Sequence, residues 1–499
     1  MSAHGTVFLV GAGPGDPGLL TVRAGELLAQ CDCVVHDWLV NPAILARVPA
    51  TAARHHVGKR GGATSISQDE INQLLVDLAR HHRRIVRLKG GDPFLFGRGG
   101  EEAGALAAAG IPFEVVPGVT SGIGVPAYAG IPVTHRAASS VVAFAAGHQQ
   151  HGGDLDWGAL ARCETVVLYM GMHKLAENCA SLIAAGRAGD TPAAAIQWGT
   201  YPRQRVVTGT LATLPQLAAE AALGAPAITV VGDVVRWREK IRWFDLRPLS
   251  GKRIAVTRSR EQASELADLL GHQGAEVVEL AVARQEPPAD WTGFDAAAAT
   301  PPSGWIAFTS ANAVRFTWRR LRDLGRDARW FAGAKVAAVG PATAAALADC
   351  GITADLVPER YDAEALATAL RGSGAAPRVL LPQADNARPT LAERLTAAGC
   401  AVTAVTTYRN VPEPVTLDPT LPLDAVTFAS SATAERFVAG VGHVAVAALV
   451  QGGCRFYAIG PTTAATMQTL GLPLAAMADD ATVAGLVAAV TRDLGPSAR

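Results

Sequence analysis

The second half of the chain contains an internal duplication, and this repeat restricts its fold more than any other feature. Residues 306–314 recur at 426–434, and the Gly-Pro-x-Thr pattern of 340–343 recurs at 460–463. The strand-and-helix segment that opens the region also recurs, and all shared segments keep the same order. Chance similarity between alanine-rich stretches does not explain a conserved order. Two similar α/β units predict two lobes with a cleft between them, a common place for a ligand.

A domain boundary is predicted between residues 245 and 251. The chain has 499 residues, which exceeds the size at which a single core splits into domains. The charged run 236–240 and the Pro, Ser and Gly residues of 248–251 precede a fresh strand. We therefore expect an α/β protein with two domains, the second made of two lobes. The expected ranges are 1–245 for the first domain, 251–499 for the second, 251–284 with 412–499 for lobe 1, and 285–411 for lobe 2.

Strand and helix patterns alternate through the first 245 residues. The strands are predicted at Val7–Val10, Cys33–His36, Ile85–Leu88, Val141–Ala145, Thr165–Met170 and Ala227–Val231. Helices are predicted at Thr21–Gln30 and Gln68–His81, the second with apolar residues at helical spacing. Ser67 and Glu70 form a capping-box pattern at the start of that helix.

Composition excludes several classes of function. The formal net charge is +0, which argues against a general nucleic-acid or membrane-surface binder. Neither a signal peptide nor an apolar run of membrane length is present, so a cytoplasmic protein is expected. The seven cysteines are scattered, and the Cys31-x-Cys33 pair has no partner pair at zinc spacing. We expect buried thiols and no metal.

Two glycine-rich loops follow strands in the first domain. Residues 87–102 run from a strand into paired glycines, an acid and a further glycine cluster, which lets a backbone approach a ligand closely. The turn after Val10 has the Gly11-x-Gly13 start of a dinucleotide fingerprint, which suggests a nicotinamide-dependent oxidoreductase. Asp16 replaces the third glycine of that fingerprint, and Pro14 removes an amide donor. The turn therefore favours a ligand without a phosphate.

Nine motifs of the first domain occur in the order of one known family. They are Gly11–Asp16, His36-Asp37, Val57–Arg60, Gln68–Asn72, Arg87–Glu102, Val116–Ser121, Tyr128–Arg136, Tyr169–Gly171 and Gly199-Thr200. Together they resemble uroporphyrinogen-III C-methyltransferase, of the two-part tetrapyrrole methylase fold. The resemblance implies transfer of two methyl groups from S-adenosylmethionine to pyrrole carbons, giving precorrin-2 for the sirohaem and cobalamin branch. It also implies a homodimer formed through this half.

The resemblance assigns residues to the donor site and to catalysis. The S-adenosylmethionine residues that it implies are Pro14, Gly90, Gly91, Asp92, Leu95, Thr120, Ser121, Met170 and Gly199. Asp37 matches the family's proposed base, and Lys59 matches its proposed proton donor or anion contact. This chain departs from the family beside the base, with His36 for the usual Tyr and Trp38 for the usual Arg. These departures concern local substrate contacts rather than the fold.

The tetrapyrrole that the resemblance implies bears acetate and propionate arms, so its site needs cations and oriented donors. Arg60, Arg98, His135 and Arg136 are the predicted substrate contacts, and Arg87 and Lys89 are further candidates. For each residue alone, a solvated surface charge is the competing interpretation. The pair His135-Arg136, at the end of a Gly-Ile-Pro-Val-Thr run, has the strongest claim.

The duplicated half resembles uroporphyrinogen-III synthase from residue 251 to 495. The motifs are Phe308–Val314, Val339–Thr343, Leu380–Arg388 with Tyr408, and Ile459–Thr463. The resemblance implies closure of hydroxymethylbilane to uroporphyrinogen III, with loss of water, inversion of one ring and no cofactor. Tyr408 matches the tyrosine proposed to assist loss of the hydroxyl, and the implied carboxylate contacts are Ser310, Thr343, Ser430 and Thr463. A two-lobed tetrapyrrole-binding module without activity is the alternative for this half.

Overall fold

The computed structural model describes residues 4–58, 66–147, 155–258, 264–372, 378–387 and 389–496. Its backbone contacts divide the chain into two compact units, and each is described by itself. The first comprises Met1–Ile254, Asp268–Val277 and Val490–Arg499, and the second comprises Ala255–Ala267 and Val278–Ala489. Three short stretches of the expected second domain, 251–254, 268–277 and 490–499, thus group with the first unit. The predicted domain and lobe boundaries stay predictions.

The first sheet is parallel and is covered by helices on both faces. Its strands are β1 (Thr6–Gly11), β2 (Cys33–His36), β3 (Ala53–His56), β4 (Arg84–Lys89) and β5 (Phe113–Val116), in the order β3-β2-β4-β1-β5. The accompanying helices are α1 (Val22–Gln30), α2 (Pro42–Leu45), α3 (Gln68–Leu78), α4 (Gly99–Ala108) and α5 (Ser121–Tyr128). Val10 packs in one core cluster with Leu28, and Leu9 packs in another with Leu75. With both faces buried, a ligand reaches this sheet at the carboxyl ends of its strands.

The second sheet of the first unit is mixed. Its strands are β6 (Val142–Ala146), β7 (Thr165–Tyr169), β8 (Pro192–Gln197), β9 (Arg205–Thr210) and β10 (Ala227–Val231), in the order β6-β7-β10-β8-β9. Only β6 and β7 pair in parallel among these strands. The helices are α6 (Trp157–Arg162), α7 (Leu175–Ala184), α8 (Leu214–Glu220) and α9 (Arg238–Ile241). The predicted two-part α/β architecture is confirmed.

Local sequence signals account for where the first helices begin. Thr21 caps α1, because its Oγ1 accepts the Ala24 N–H at 3.2 Å. The predicted capping box of α3 is present: the Ser67 hydroxyl accepts the Glu70 N–H, and the Glu70 carboxylate accepts the Ser67 N–H. The predicted end at His81 is wrong by three residues. The helix ends at Leu78 because the chain tightens there into a turn.

The remaining strands form two further five-stranded sheets. One has the order β12-β11-β18-β19-β20, with β11 (Arg253–Arg258), β12 (Glu276–Ala281), β18 (Ala425–Phe428), β19 (Arg455–Ala458) and β20 (Leu474–Met477). The other has the order β13-β17-β16-β14-β15, with β13 (Ala283–Glu286), β14 (Gly304–Phe308), β15 (Ala334–Ala338), β16 (Arg378–Ala384) and β17 (Ala401–Pro412). The helices are α10 (Ser264–His272), α11 (Thr292–Ala298), α12 (Ala311–Asp323), α13 (Pro341–Asp349), α14 (Ala363–Gly372), α15 (Thr390–Ala397), α16 (Ser431–Val441), α17 (His443–Gln451), α18 (Pro461–Thr469) and α19 (Val483–Leu494).

The sequence repeat has a structural counterpart in these sheets. Ser310 joins β14 to α12, and Ser430 joins β18 to α16 in the same way. Gly340 and Gly460 likewise precede α13 and α18, each of which begins with a proline. Proline is suited to the first helical turn, where its missing N–H has no intrahelical partner to lose. Each copy therefore presents two helix starts at the carboxyl ends of its strands.

Among the described residues, each helix taken alone falls short of the length and apolar character that a membrane span requires. Taken together, α16 and α17 meet the length and composition criteria, but the pair is bent by 102°.

Candidate active site

Three strand ends of the first sheet meet through glycine backbone. The Gly13 N–H donates to the Gly91 carbonyl at 3.1 Å, and the Gly91 N–H donates back to Gly13 at 2.7 Å. Their φ angles of +76° and +68° favour glycine at both positions. A Cβ on Gly118, in the loop after β5, would lie 2.3 Å from the Gly91 oxygen. These three loops can therefore approach one another only because no side chain separates them.

A cavity of about 630 Å³ opens beside these loops, within the ~300–1,000 Å³ that is usual for small-molecule sites. Its wall includes Asp37, Arg98 and every residue that the resemblance assigns to S-adenosylmethionine. The nine assigned residues on this wall are Pro14, Gly90, Gly91, Asp92, Leu95, Thr120, Ser121, Met170 and Gly199. Residues from both sheets of the first unit thus come together at one place. Their individual roles stay predictions.

The carboxylate of Asp92 organises the loop after β4. Its Oδ1 accepts the N–H groups of Phe94 and Leu95 at 2.8 and 3.1 Å, and its Oδ2 accepts the Gly118 N–H at 3.1 Å. Much of its acceptor capacity is therefore used by the protein backbone. The resemblance assigns Asp92 to the donor site, and its role in shaping the loop was not foreseen.

Tyr169 is a cavity residue that the sequence reasoning missed. It ends β7 and is 8% exposed, and its hydroxyl accepts the Gly122 N–H at 2.6 Å. The same hydroxyl hydrogen-bonds the Thr120 Oγ1 at 2.7 Å. Burial raises the pKa of the Tyr169 phenol, so the group stays protonated at neutral pH. The signal was its place directly before Met170, within a motif from which only Met170 was assigned.

Strained backbone concentrates around the same cavity. Phe96, Arg98, Met170 and Trp198 line it and have φ angles of 54°, 59°, 54° and 48°. Positive φ is uncommon for residues other than glycine and costs on the order of 1–3 kcal/mol. Such strain persists where the surrounding structure over-determines a conformation, and it clusters at functional sites. This clustering supports the cavity as the functional site of the first unit.

A group of buried ions lies behind Asp37. The Arg87 Nη2 is 2.7 Å from the Asp37 Oδ1, and the Arg87 Nε is 3.0 Å from the Glu102 Oε1. The Lys89 Nζ lies 2.8 Å from the same Glu102 oxygen. Burial, with Arg87 alongside, lowers the pKa of the Lys89 ammonium. Arg87 is thus committed to two internal carboxylates, which makes it a poor candidate for a solvent-side contact with the substrate.

The other predicted cations lie in different surroundings. Arg98 is at the cavity wall, and its side chain is 55% exposed and bonded twice to Glu101 at 2.7 Å. His135 and Arg136 are not among the residues that line the cavity, and the His135 ring lies 3.7 Å from that of Trp237. The predicted residues Lys59 and Arg60 lie outside the described residues. The substrate role of all these side chains stays a prediction.

Asp16, which argued against a dinucleotide site, has a structural role. Its Oδ1 accepts the Gly18 N–H at 2.7 Å, and its Oδ2 accepts the Tyr128 hydroxyl at 2.8 Å. The Asp16 N–H donates to the Thr200 Oγ1 at 3.1 Å, which ties the first turn to the segment after β8. The acid therefore holds the turn in shape, and its side chain is not part of the cavity wall.

In the duplicated half, Tyr408 on β17 is packed rather than open. Its ring stacks on Phe316 with centroids 5.6 Å apart, and the residue is 7% exposed. Its hydroxyl lies 3.1 Å from the Ser310 Oγ. Burial raises the pKa of this phenol, which favours a protonated hydrogen-bond donor.

The four predicted carboxylate contacts lie at the repeated helix starts. The Ser310 and Ser430 hydroxyls cap α12 and α16 by accepting N–H groups of Ala313 and Thr433. Thr343 and Thr463 are in the first turns of α13 and α18, and each is 4% exposed. The serine oxygens are therefore already used as helix caps, so a bound carboxylate would rely on free backbone N–H groups there.

The described part of the chain contains no group of three or more His, Cys, Asp or Glu side chains arranged to hold a metal ion. All seven cysteines are free, and five of them are buried. Burial raises the pKa of Cys33 to about 12 and that of Cys179 to about 11.

Both halves match known family models. Residues 6–215 match the tetrapyrrole (corrin/porphyrin) methylases, and residues 264–488 match uroporphyrinogen-III synthase HemD. The porphyrin biosynthesis protein HemD of Ruminiclostridium josui is 42% identical over 368 residues, which cover 73% of this chain and 73% of that protein.

Other relatives match the first half alone. The siroheme synthase of Chromobacterium violaceum is 54% identical over 242 residues, 48% of this chain and 52% of that protein. The chain thus spans about half the length of the siroheme synthases that it matches. A solved structure also matches: uroporphyrin-III C-methyl transferase from Thermus thermophilus, complexed with S-adenyl homocysteine, is 40% identical in sequence to the aligned part of this chain. The aligned region covers 46% of this chain and 99% of the T. thermophilus chain, with a TM-score of 0.41.

These matches agree with the motifs in both halves and with their order along the chain. The oxidoreductase interpretation is dropped, because the fingerprint that suggested it is part of a methylase domain. The chain belongs to the family of porphyrin-biosynthesis proteins in which a tetrapyrrole methylase is fused to a uroporphyrinogen-III synthase.

Proposed function

We propose that the first half methylates uroporphyrinogen III at two pyrrole carbons, with S-adenosylmethionine as methyl donor, and so forms precorrin-2. The observation that supports this most directly is the cavity whose wall holds all nine residues of the implied donor site together with Asp37. The T. thermophilus relative crystallised with S-adenyl homocysteine is consistent with such a donor.

The residues around the cavity fit this donor. When bound, S-adenosylmethionine supplies a methyl group activated by its positively charged sulfonium. Glycine backbone at Gly90 and Gly91 leaves room for close approach, while Tyr169 fixes the loop that carries Thr120. Met170 is 55% exposed and offers a soft apolar contact. Because methyl transfer is an in-line displacement, holding donor and acceptor in register is the main catalytic contribution.

Asp37 is the proposed base. Its Oδ1 is held by Arg87, and its Oδ2 has no hydrogen-bond partner among the described side chains and backbone groups. The free oxygen accepts the proton that the ring system loses after a pyrrole carbon is methylated. The Arg87 contact keeps the carboxylate in one orientation while it does so.

We propose that the second half closes hydroxymethylbilane to uroporphyrinogen III. The Tyr408 hydroxyl, protonated at neutral pH and supported by Ser310, donates a hydrogen bond to the departing hydroxyl group. The helix starts near Ser310, Thr343, Ser430 and Thr463 supply backbone N–H groups for the carboxylate arms. The second half then makes the substrate of the first.

Each activity has its own assay in the full chain. With uroporphyrinogen III and S-adenosylmethionine, mass spectrometry is expected to show a product that carries two added methyl groups. The Asp37→Asn variant should bind S-adenosylhomocysteine normally but lose most of this turnover. With hydroxymethylbilane alone, we expect the type III isomer. Only the type I isomer, which forms without an enzyme, would instead support the inactive binding module.

A further inference from the structure

The buried ions behind Asp37 form one connected group. The side chains of Arg87, Lys89 and Glu102 are 2%, 4% and 0% exposed, whereas that of Asp37 is 30% exposed. The Glu102 Oε1 accepts from both cations, and the Gln68 Nε2 lies 3.4 Å from it. The Glu102 Oε2 is buried and has no hydrogen-bond partner among the described residues.

Such a group is costly to keep. Moving an ion out of water costs several kcal/mol even after relaxation, and a buried carboxylate oxygen without a partner adds to that cost. The network holds two cations and two carboxylates. Asp37 can neutralise only one of the cations, and Glu102 neutralises the other. Apolar residues of similar volume would fill this space at least as stably. The arrangement is therefore better explained by what it does to the cavity than by folding stability.

The other three side chains of this network connect Glu102 to the cavity. Asp37, Arg87 and Lys89 all line the wall, whereas Glu102 does not. Glu102 lies on α4 and holds both cations of β4 from behind. The Lys89 ammonium has one hydrogen-bond partner among the described residues, which leaves N–H groups for the cavity side.

We propose that Glu102 is a positioning residue of the methyltransferase site, acting through Arg87 on Asp37 and through Lys89 on the cavity wall. This inference rests on the proposed methyltransferase function. Glu102 touches neither donor nor acceptor. It fixes the guanidinium that orients the base, and it holds the net charge of the group near zero.

The charge has a predictable consequence for catalysis. Replacing Glu102 with Gln keeps the shape but leaves Arg87 and Lys89 facing the single carboxylate of Asp37. The excess positive charge favours the ionised base and makes it a weaker proton acceptor. Other ionisable groups nearby in the described part of the chain include Glu101 beside Arg98, and His36 and His56, which end β2 and β3. The cavity wall itself also carries Arg98, Asp92 and His173. None of these is altered by the substitution.

The test uses the full chain and four proteins: the wild type, Glu102→Gln, Glu102→Asp and the control Glu26→Gln. Glu26 is an exposed acid on α1, paired with Arg23 at the surface. For Glu102→Gln we expect kcat to fall roughly 10- to 100-fold, because a misplacement of about 1 Å can cost ~100-fold. The acid limb of the kcat/KM profile should move to lower pH, because the uncompensated cations favour the ionised carboxylate. S-adenosylhomocysteine affinity should stay within about threefold, because Glu102 does not line the cavity.

The Asp variant separates charge from packing. Glu102→Asp keeps the charge but cannot reach both cations, so its acid limb should stay in place while kcat falls. If Glu102→Gln does not fold, the comparison of Glu102→Asp with Glu26→Gln still tests whether Glu102 positions the site. The inference is overturned if the Glu102 variants keep the kcat and pH profile of Glu26→Gln. It is also overturned if kcat, donor affinity and the unfolding midpoint fall together. A wild type that transfers no methyl group would instead refute the proposed function itself.

Discussion

Substituting Gly122 with Ala tests whether Tyr169 frames the donor cavity. Gly122 lies in the first turn of α5, and an added Cβ would be 2.2 Å from the Tyr169 hydroxyl and 2.7 Å from the ring carbon that bears it. Ordinary Cβ contacts are 3.4 Å or longer, so the hydroxyl must move by about 1.2 Å. Tyr169 has little room to move, because its ring packs against Phe96 at 4.9 Å and Phe144 at 6.3 Å.

The expected energy follows from three opposing contributions. Alanine in place of glycine stabilises a helix by about 1 kcal/mol. Overpacking costs about 1–3 kcal/mol, and leaving the Gly122 N–H buried without the phenol costs about 1–3 kcal/mol more. The net expectation is a loss of about 1–5 kcal/mol in the free energy of unfolding. Because the displaced phenol lines the cavity, S-adenosylhomocysteine affinity should fall about tenfold, or ~1.4 kcal/mol.

Gly104→Ala is the matched control. Gly104 is an exposed glycine within α4, and an added Cβ there meets nothing within 4 Å. We expect this variant to gain up to about 1 kcal/mol of stability and to bind S-adenosylhomocysteine like the wild type. Urea unfolding and titration calorimetry measure both quantities. The reasoning is refuted if Gly122→Ala is as stable as Gly104→Ala and binds the ligand equally well.

Three further predictions concern single positions. Gly91→Ala places a side chain at φ +68°, so the free energy of unfolding in urea should fall by about 1–2 kcal/mol. The variant should also bind S-adenosylhomocysteine more weakly in calorimetry, and an unchanged affinity would contradict the assignment of this loop to the donor site. Tyr408→Phe removes the phenol that faces Ser310, so type III isomer formation should slow at least tenfold with little loss of stability; an unchanged rate would leave this tyrosine a packing residue. Cys33, Cys179 and Cys454, with pKa values raised to about 12, 11 and 12, should resist a thiol reagent at pH 8 until the protein is unfolded. In the folded state these thiols lose their protons at a higher pH than in the unfolded state. The free energy of unfolding should therefore fall as the pH rises from about 9 towards 12, and a urea midpoint that does not change over that range would contradict this prediction.

Features that depend on neighbouring residues in the chain were predictable from the sequence. The capping box of Ser67 and Glu70 is present as expected, because both partners lie within one helical turn. The strand at Ala227–Val231 was predicted with its observed bounds. The glycine loops were recognisable because Gly13 and Gly91 adopt backbone angles that other residues avoid.

Features set by distant contacts were not predictable in this way. The Tyr169 hydroxyl bonds to Gly122 and Thr120, which are 47 and 49 residues away, so the motif around Met170 gave no sign of these contacts. Arg87 was considered as a substrate contact because a lone arginine in a sequence gives no sign of its partners. His135 had the strongest sequence claim among the cations, yet its ring packs on Trp237, a neighbour about a hundred residues further along. Side-chain roles of this kind depend on tertiary packing rather than on motif spacing.

The measurement that tests the central claim most directly starts from hydroxymethylbilane rather than from either intermediate. The full chain is incubated anaerobically with hydroxymethylbilane and S-adenosylmethionine, and the products are resolved by isomer type and mass. Two working halves predict a type III tetrapyrrole that carries two added methyl groups. A product of type I, or a type III product without added methyl groups, would contradict the proposed pair of activities.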